Sequence, residues 1–266
     1  MDTRLAPRVE LPSAPGPAGA PAVEIPQYTL GKILSVWLIA AAPMGVLAWV
    51  VAPRLASTLE GPGALARALV VCLTIGLVWQ FVAVAIFVKR EQGTLRWSTV
   101  RQALWLQRPR SPRTGRIGGS VWLILIPLIL ALAAEELIPD LPHAAGRDFG
   151  LFLGSNVGQN FLDGNWAFFG AIVLLGVFNT VLGEELLFRG FLLPRMNGVF
   201  GRRDWLANGA LFALYHVHVP WVIPAGLLDA FILSYPTKRY RSAWIGIAVH
   251  SAQTVVITAA VLAVVL

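Results

Sequence analysis

Apolar residues occur along the chain in long runs that short basic or acidic segments separate. A helix needs about 20 apolar residues to cross the ~30 Å hydrocarbon core of a bilayer. We therefore predict membrane spans at about Ile33–Ala52, Ala68–Val88, Ile117–Ala134, Trp166–Phe188 and Ala243–Leu266, with shorter helical runs at Trp205–Val217 and Trp221–Tyr235. The predicted fold is all-α: a polytopic transmembrane bundle of about seven or eight membrane helices with a buried polar site.

The charges between the runs favour one orientation in the membrane. The linker at 89–116 is strongly basic and the loop at 135–163 is acidic, while 195–203 and 238–241 are basic again. Basic loops stay in the cytoplasm, so these segments predict a cytoplasmic N-terminus and an outer C-terminus. We expect a multi-pass protein of a bacterial inner membrane, with its site open toward the cytoplasmic side.

Composition supports a protein whose main partner is the lipid bilayer. Hydrophobic residues make up 56% of the chain and charged residues 13%, against about 25% charged in soluble domains. The net charge is +7, and the basic residues cluster between the apolar runs. Membrane topology therefore explains the charge, and no nucleic-acid partner is expected. Residues 1–30 are rich in Pro, Ala and Gly and lack a signal peptide, which predicts a disordered cytoplasmic tail before a transmembrane domain at 31–266.

Two adjacent carboxylates, Glu184 and Glu185, end the fourth run. An acidic residue costs about 2.5–3.5 kcal/mol at the centre of a membrane helix, and less near the interface. Glu185 and Arg189 have the i, i+4 spacing of an ion pair along one helix face. Glu184 has no such local partner, so it is the candidate for function.

Two histidines stand on other membrane segments. His216 follows Phe212 by one helical turn, and His250 precedes Thr254 by one turn. In the predicted orientation, both histidines and Glu184 lie in the cytoplasmic half to the middle of the membrane. We expect them to converge there.

Such a constellation supports hydrolysis of an amide by either of two schemes. Glu184 and a histidine would hold and deprotonate a water, while a second histidine and a nearby hydroxyl stabilise the oxyanion. Alternatively, Glu184, His216 and His250 would bind a catalytic zinc ion. The only cysteine, Cys72, excludes an intrachain disulfide and a Cys-rich metal site.

Other intramembrane protease classes do not fit the residues. The His-Glu-x-x-His zinc pattern is absent, and Asp229 is the only aspartate well inside a predicted span. Ser251 adjoins His250 but points elsewhere on its helix. We assign no function to His143, in the outer loop, and predict that His218 is a loop or capping residue.

The three ordered motifs resemble those of the CPBP family, the CAAX proteases and bacteriocin-processing enzymes also called Abi. They are Glu184-Glu185-x-x-x-Arg189, Phe212-x-x-x-His216 and His250-x-x-x-Thr254. The resemblance covers about 166–256, which we expect to be the catalytic core. It implies a helical intramembrane endopeptidase, a membrane hydrolase whose substrate is a membrane-associated or C-terminal peptide.

Residue roles follow from the same resemblance. It implies that Glu184 and His216 activate water and that His250 stabilises the oxyanion, with Glu185, Arg189 and Phe212 in support. The family usually has asparagine where this chain has Thr254, whose hydroxyl reaches less far than an amide. We expect no cofactor, with zinc on Glu184, His216 and His250 as the alternative.

Two other kinds of protein remain open. A non-catalytic membrane scaffold, or an immunity or regulatory protein, would keep the same fold and polar residues. A transporter would use the buried charges as an ion relay, but it would be expected to show repeated halves, and no repeat is visible. The sequence does not reveal the substrate, whether it is prenylated, or the oligomeric state.

Overall fold

The computed structural model describes residues 23–135, 137–139, 141–144, 146–147 and 149–266. Of the disordered tail predicted at 1–30, residues 1–22 fall outside these ranges, as do Glu136, Asp140 and Asp148 of the predicted acidic loop. Within the described ranges the regular elements are helices, apart from an isolated bridge between Arg110 and Ile117. The predicted all-α class is confirmed.

Ten main helices follow one another along the described chain. They are α1 (Leu30–Ala56), α2 (Ala64–Gln92), α3 (Trp97–Ala103), α4 (Gly119–Glu135), α5 (Phe149–Gly154), α6 (Asn156–Leu162), α7 (Trp166–Arg195), α8 (Asp204–Tyr215), α9 (Ala230–Ser234 continuing as Tyr235–Tyr240) and α10 (Ala243–Val265). Short helical turns lie at Asn197–Phe200, Gly201–Arg203, His216–His218, Pro220–Val222 and Ile223–Gly226.

In the described part of the chain, four helices are long and apolar enough to cross a membrane: α1, α2, α7 and α10. Helix α4 is apolar but shorter. The predicted count of seven or eight membrane helices is therefore not confirmed. The run predicted at Trp221–Tyr235 is divided into short pieces, and at about 1.5 Å per residue α8 is too short for a ~30 Å core.

Helix α7 continues beyond its predicted end at Phe188 and reaches Arg195. The prediction ended the helix at its charged residues, but Arg189 and Arg195 are fully buried and each pairs with a carboxylate. Wide turns with i→i+5 hydrogen bonds occupy Phe178–Gly183 and Leu186–Leu192, on either side of the glutamate pair. Such turns are frequent at functional sites.

Helix α7 lies at the centre of the helix packing. It contacts α2 and α10, while α9 packs on α8 and α10. One large apolar core joins these helices, and a smaller cluster links α6, α7 and α10 through Leu162, Ile172 and Val261. Many large apolar side chains on α1, α2 and α10 face outward, as a lipid environment requires.

Candidate active site

A buried network joins α7 to α10 through Glu185. Its Oε1 accepts a hydrogen bond from Arg189 Nη1 at 2.9 Å, and the same oxygen lies 3.1 Å from His250 Nδ1. Glu185 and Arg189 are fully buried, so the ion pair that the sequence predicted is present and shielded from solvent. A Cβ at Gly246 would overlap Glu185 Oε2, so this glycine permits α10 to approach α7.

Phe212 of α8 packs between the charged network and the two histidines. The Arg189 guanidinium carbon lies 3.8 Å from the centre of the Phe212 ring, a cation–π contact. The rings of His216 and His250 meet Phe212 edge-on, with centroid distances of 4.8 Å and 6.0 Å. Phe212, Arg189 and Glu185 thus form one packed unit that holds both histidines.

Glu184 is 1% exposed, and its Oε2 has no hydrogen-bond partner within the described residues. The Tyr215 hydroxyl lies close to this carboxylate and accepts a hydrogen bond from Gln80 Nε2 at 2.6 Å. Burial of a carboxylate oxygen without a partner costs free energy, so such a group is usually kept for a function. Within the same residues Glu185 Oε2 also lacks a partner, but Glu185 is ion-paired through its Oε1, and Glu184 is the one of the two that lines the cavity described below.

The hydrogen bond of His216 fixes its tautomer. Nδ1 lies 2.9 Å from the carbonyl oxygen of Phe212. A carbonyl oxygen only accepts hydrogen bonds, so Nδ1 carries a proton and donates the hydrogen bond to Phe212. In the neutral ring, Nε2 then keeps its lone pair and can act as a base.

A cavity of about 630 Å³ brings the four predicted catalytic residues together, since Glu184, His216, His250 and Thr254 all line it. Thr254 faces Gly176 of α7, where a Cβ would come within 2.5 Å of the Thr254 methyl group. The Thr254 hydroxyl lies 3.5 Å from that of Thr180. The roles assigned to the four residues stay predictions.

Two cavity residues, His218 and Asp229, were given no catalytic role by the sequence. His218 is buried and its ring stacks on that of His216, with centroids 5.4 Å apart and planes 25° apart. The prediction extended the helix to Val217, but α8 ends at Tyr215 and a tight turn carries both histidines. Asp229 also lines the cavity, and its place in an apolar run was the available signal.

His143, which was given no function, lies outside this group and stacks on Trp221 at 4.9 Å.

The expected absence of a cofactor and the alternative zinc site on Glu184, His216 and His250 both stay predictions. Among the residues that the structure describes, no three His, Cys, Asp or Glu side chains are arranged to hold one metal ion. The catalytic steps proposed below are written with side chains alone.

Residues 165–256 match the family model described as Rce1-like, type II CAAX prenyl endopeptidase Rce1-like. The matched segment contains all three motifs and the network around Glu185. The predicted family resemblance is confirmed. No curated protein and no solved structure matches the chain significantly. Together with the four long apolar helices of the described chain, this match indicates a membrane-embedded protein that is similar to membrane proteases.

Proposed function

We propose that the protein is an intramembrane endopeptidase that hydrolyses a peptide bond in a membrane-associated or C-terminal peptide. One observation carries the proposal. Glu184, whose Oε2 has no hydrogen-bond partner in the described ranges, and His216, whose Nε2 can act as a base, line one largely apolar cavity inside the bundle. The Rce1-like match of the same segment supports a protease.

The first step is activation of water. A water held by Glu184 and His216 gives a proton to one of them as its oxygen attacks the scissile carbonyl. The C=O π bond opens and a tetrahedral oxyanion forms. The proton then passes to the leaving nitrogen as the C–N bond breaks, which yields a carboxylic acid and an amine.

The developing oxyanion needs hydrogen-bond donors. The Nδ1 atom of His250 contacts Glu185, which leaves Nε2 available to the substrate. Nε2 donates a hydrogen bond when the imidazole ring is doubly protonated. The Glu185 carboxylate, which also pairs with Arg189, contacts Nδ1 and thereby orients the ring. Thr254 supplies a hydroxyl at the same cavity.

The proposal is tested by expressing Glu184→Ala and His216→Ala in membranes and following cleavage of a peptide library by mass spectrometry. Both variants should accumulate in the membrane like the wild type but release no product. Loss of the folded protein in both cases would identify the residues as a structural polar network.

A chelator provides a separate test of the metal-independent scheme. Cleavage by purified protein should be unchanged after incubation with 1,10-phenanthroline, because the proposed steps use only side chains. Inactivation that added zinc reverses would instead support the zinc alternative on Glu184, His216 and His250.

A non-catalytic scaffold or regulatory protein of the same fold is the second candidate. Thr254 favours it, because a threonine methyl packed on Gly176 replaces the longer amide usual in the family. In that case Glu184→Gln would leave the biological effect and partner binding intact. Loss of the effect in that variant supports the peptidase.

A further inference from the structure

The cavity at the proposed site is acidic. Among the residues that the structure describes, three carboxylates line it, those of Glu135, Glu184 and Asp229, and no lysine or arginine does. Arg189 lies behind the wall, where it pairs with Glu185. Electrostatic forces are stronger in a buried site than in water, so this lining favours a ligand group of positive charge.

Asp229 is the carboxylate that the proposed catalytic steps leave unused. It is 7% exposed, it lines the cavity, and its Oδ1 has no hydrogen-bond partner in the described part of the chain. Arg189 and His250 attract it electrostatically, but within the described residues their ion pairs are with Glu185, through Arg189 Nη1 and His250 Nδ1. A buried carboxylate without an ion-pair partner is costly, which suggests that its partner arrives with the ligand.

We propose that Asp229 binds a lysine or arginine side chain of the substrate, so that the protein selects peptides with a basic residue beside the scissile bond. This inference rests on the proposed peptidase function and adds a substrate class to it. The cationic group donates hydrogen bonds to the free Asp229 oxygen and neutralises the carboxylate. The neighbouring cavity wall, with Phe212 and Ile172, accommodates the apolar part of the peptide.

The same lining disfavours a free C-terminal carboxylate in this cavity. Arg147 lines a smaller adjoining cavity of about 170 Å³. Its Nη1 donates to the Ala48 carbonyl oxygen at 2.9 Å, and its guanidinium lies 4.0 Å from the Trp49 ring centre. Because Arg147 already binds Ala48 and Trp49, the structure favours a substrate whose bound segment is internal and basic over one that ends in a free carboxylate.

The experiment measures binding in the Glu184→Gln background, where the proposed chemistry is blocked and peptides stay intact. Three fluorescent, N-acetylated apolar peptides are titrated against protein in nanodiscs, and anisotropy is recorded. The first contains one lysine and has a C-terminal amide. The second replaces lysine with norleucine. The third is the norleucine peptide with a free carboxylate.

The lysine peptide should bind about tenfold more tightly than the norleucine peptide, as expected for one charge-assisted hydrogen bond. Adding Asp229→Asn should abolish this preference, and Asp229→Ser should do the same. Asp163→Asn, which removes an exposed carboxylate, should keep it. Unchanged binding of the norleucine peptide shows that the cavity remains folded in each variant.

Equal affinity for the lysine and norleucine peptides would overturn the inference, and so would a preference that survives Asp229→Asn. Tighter binding of the free carboxylate would overturn it as well, and would implicate Arg147 instead. A structural role of Asp229 would lower the affinity for all three peptides together. Because binding is read without turnover, failure of the wild type to cleave any peptide would refute the peptidase and leave the lysine preference separately measurable.

Discussion

Adjacent glutamates in this chain have opposite environments. Glu185 shares one oxygen between Arg189 and His250, whereas Glu184 forms no ion pair within the described residues and lines the cavity. Helix geometry accounts for this difference, because consecutive residues point about 100° apart. The i, i+4 spacing was enough to predict the Glu185–Arg189 pair from the sequence.

The second contact of Glu185 could not be predicted in this way. His250 lies on α10, 65 positions further along the chain, and only the packing of α10 on α7 brings it to Glu185. The tautomer of His216 depends likewise on the carbonyl of Phe212, whose availability follows from the end of α8. The sequence shows Asp229 as an isolated charge in an apolar run. Its access to the cavity depends on the short helical turns that interrupt the chain before α9.

Thr254 gives a prediction at the scale of one residue. Thr254→Val keeps the shape that packs against Gly176 but removes the hydroxyl. Loss of an oxyanion donor lowers kcat by about 10²–10³ at strong sites, and a more distant hydroxyl should give about tenfold. Steady-state kinetics should show this fall with KM unchanged.

Unchanged kcat in Thr254→Val would mean that the hydroxyl does not stabilise the oxyanion. Ser251→Ala is the matched control. It removes a neighbouring hydroxyl that is hydrogen-bonded to Thr180, and Ser251 is not among the residues that line the cavity.

At the scale of helices, the C-terminal end of α7 is held by a buried ion pair. Near its C-terminal end, Arg195 is fully buried and bonds Glu91 of α2, with Nη2 and Oε2 2.7 Å apart. Glu91 also accepts a hydrogen bond from the Tyr28 hydroxyl, and burial together with this carboxylate raises the pKa of Tyr28. Residues before α1 and at the end of α2 thus hold the helix that carries Glu184.

Close approach of α10 to α7 gives a prediction at this scale. Gly246→Ala places a Cβ against Glu185 Oε2 and 3.3 Å from Arg189 Cγ, so it should displace the buried pair. Breaking a buried ion pair costs about 3–5 kcal/mol. Thermal unfolding of detergent-solubilised protein should therefore show a large fall in Tm.

Gly170→Ala is the control for this substitution. Gly170 also lies in a helix, but no atom lies within 4 Å of its added Cβ, so Tm should stay the same or rise slightly. Equal Tm values for Gly246→Ala and the wild type would contradict the tight α7–α10 packing.

At the scale of the whole molecule, the apolar runs predicted the helical class and the approximate positions of α1, α2, α7 and α10. They did not give the number of membrane crossings. Runs that look continuous in sequence, such as Trp221–Tyr235, break at prolines and glycines and serve to place Asp229 and His218. Hydropathy measures apolar content, and does not reveal where a chain turns back inside a bundle.

Topology gives a prediction at this scale. We propose that the protein lies in the bacterial inner membrane with the 89–116 linker in the cytoplasm and the C-terminus outside. In a Cys72→Ala background, a membrane-impermeant maleimide added to intact spheroplasts should label Leu266→Cys but spare Arg113→Cys. Disrupted membranes should permit labelling at both positions. The reverse pattern in intact spheroplasts would invert the proposed orientation and place the catalytic cavity toward the other face.

The most direct measurement compares peptide cleavage by wild-type protein and Glu184→Gln in liposomes, normalised to folded protein. The substitution preserves shape but removes a carboxylate proposed to activate water, and general-base catalysis contributes about 10²–10⁴ in rate. We predict a fall of at least about a hundredfold in kcat, with Tm and peptide affinity retained. A Glu184→Gln variant that cleaves at the wild-type rate would contradict the proposal that Glu184 activates water.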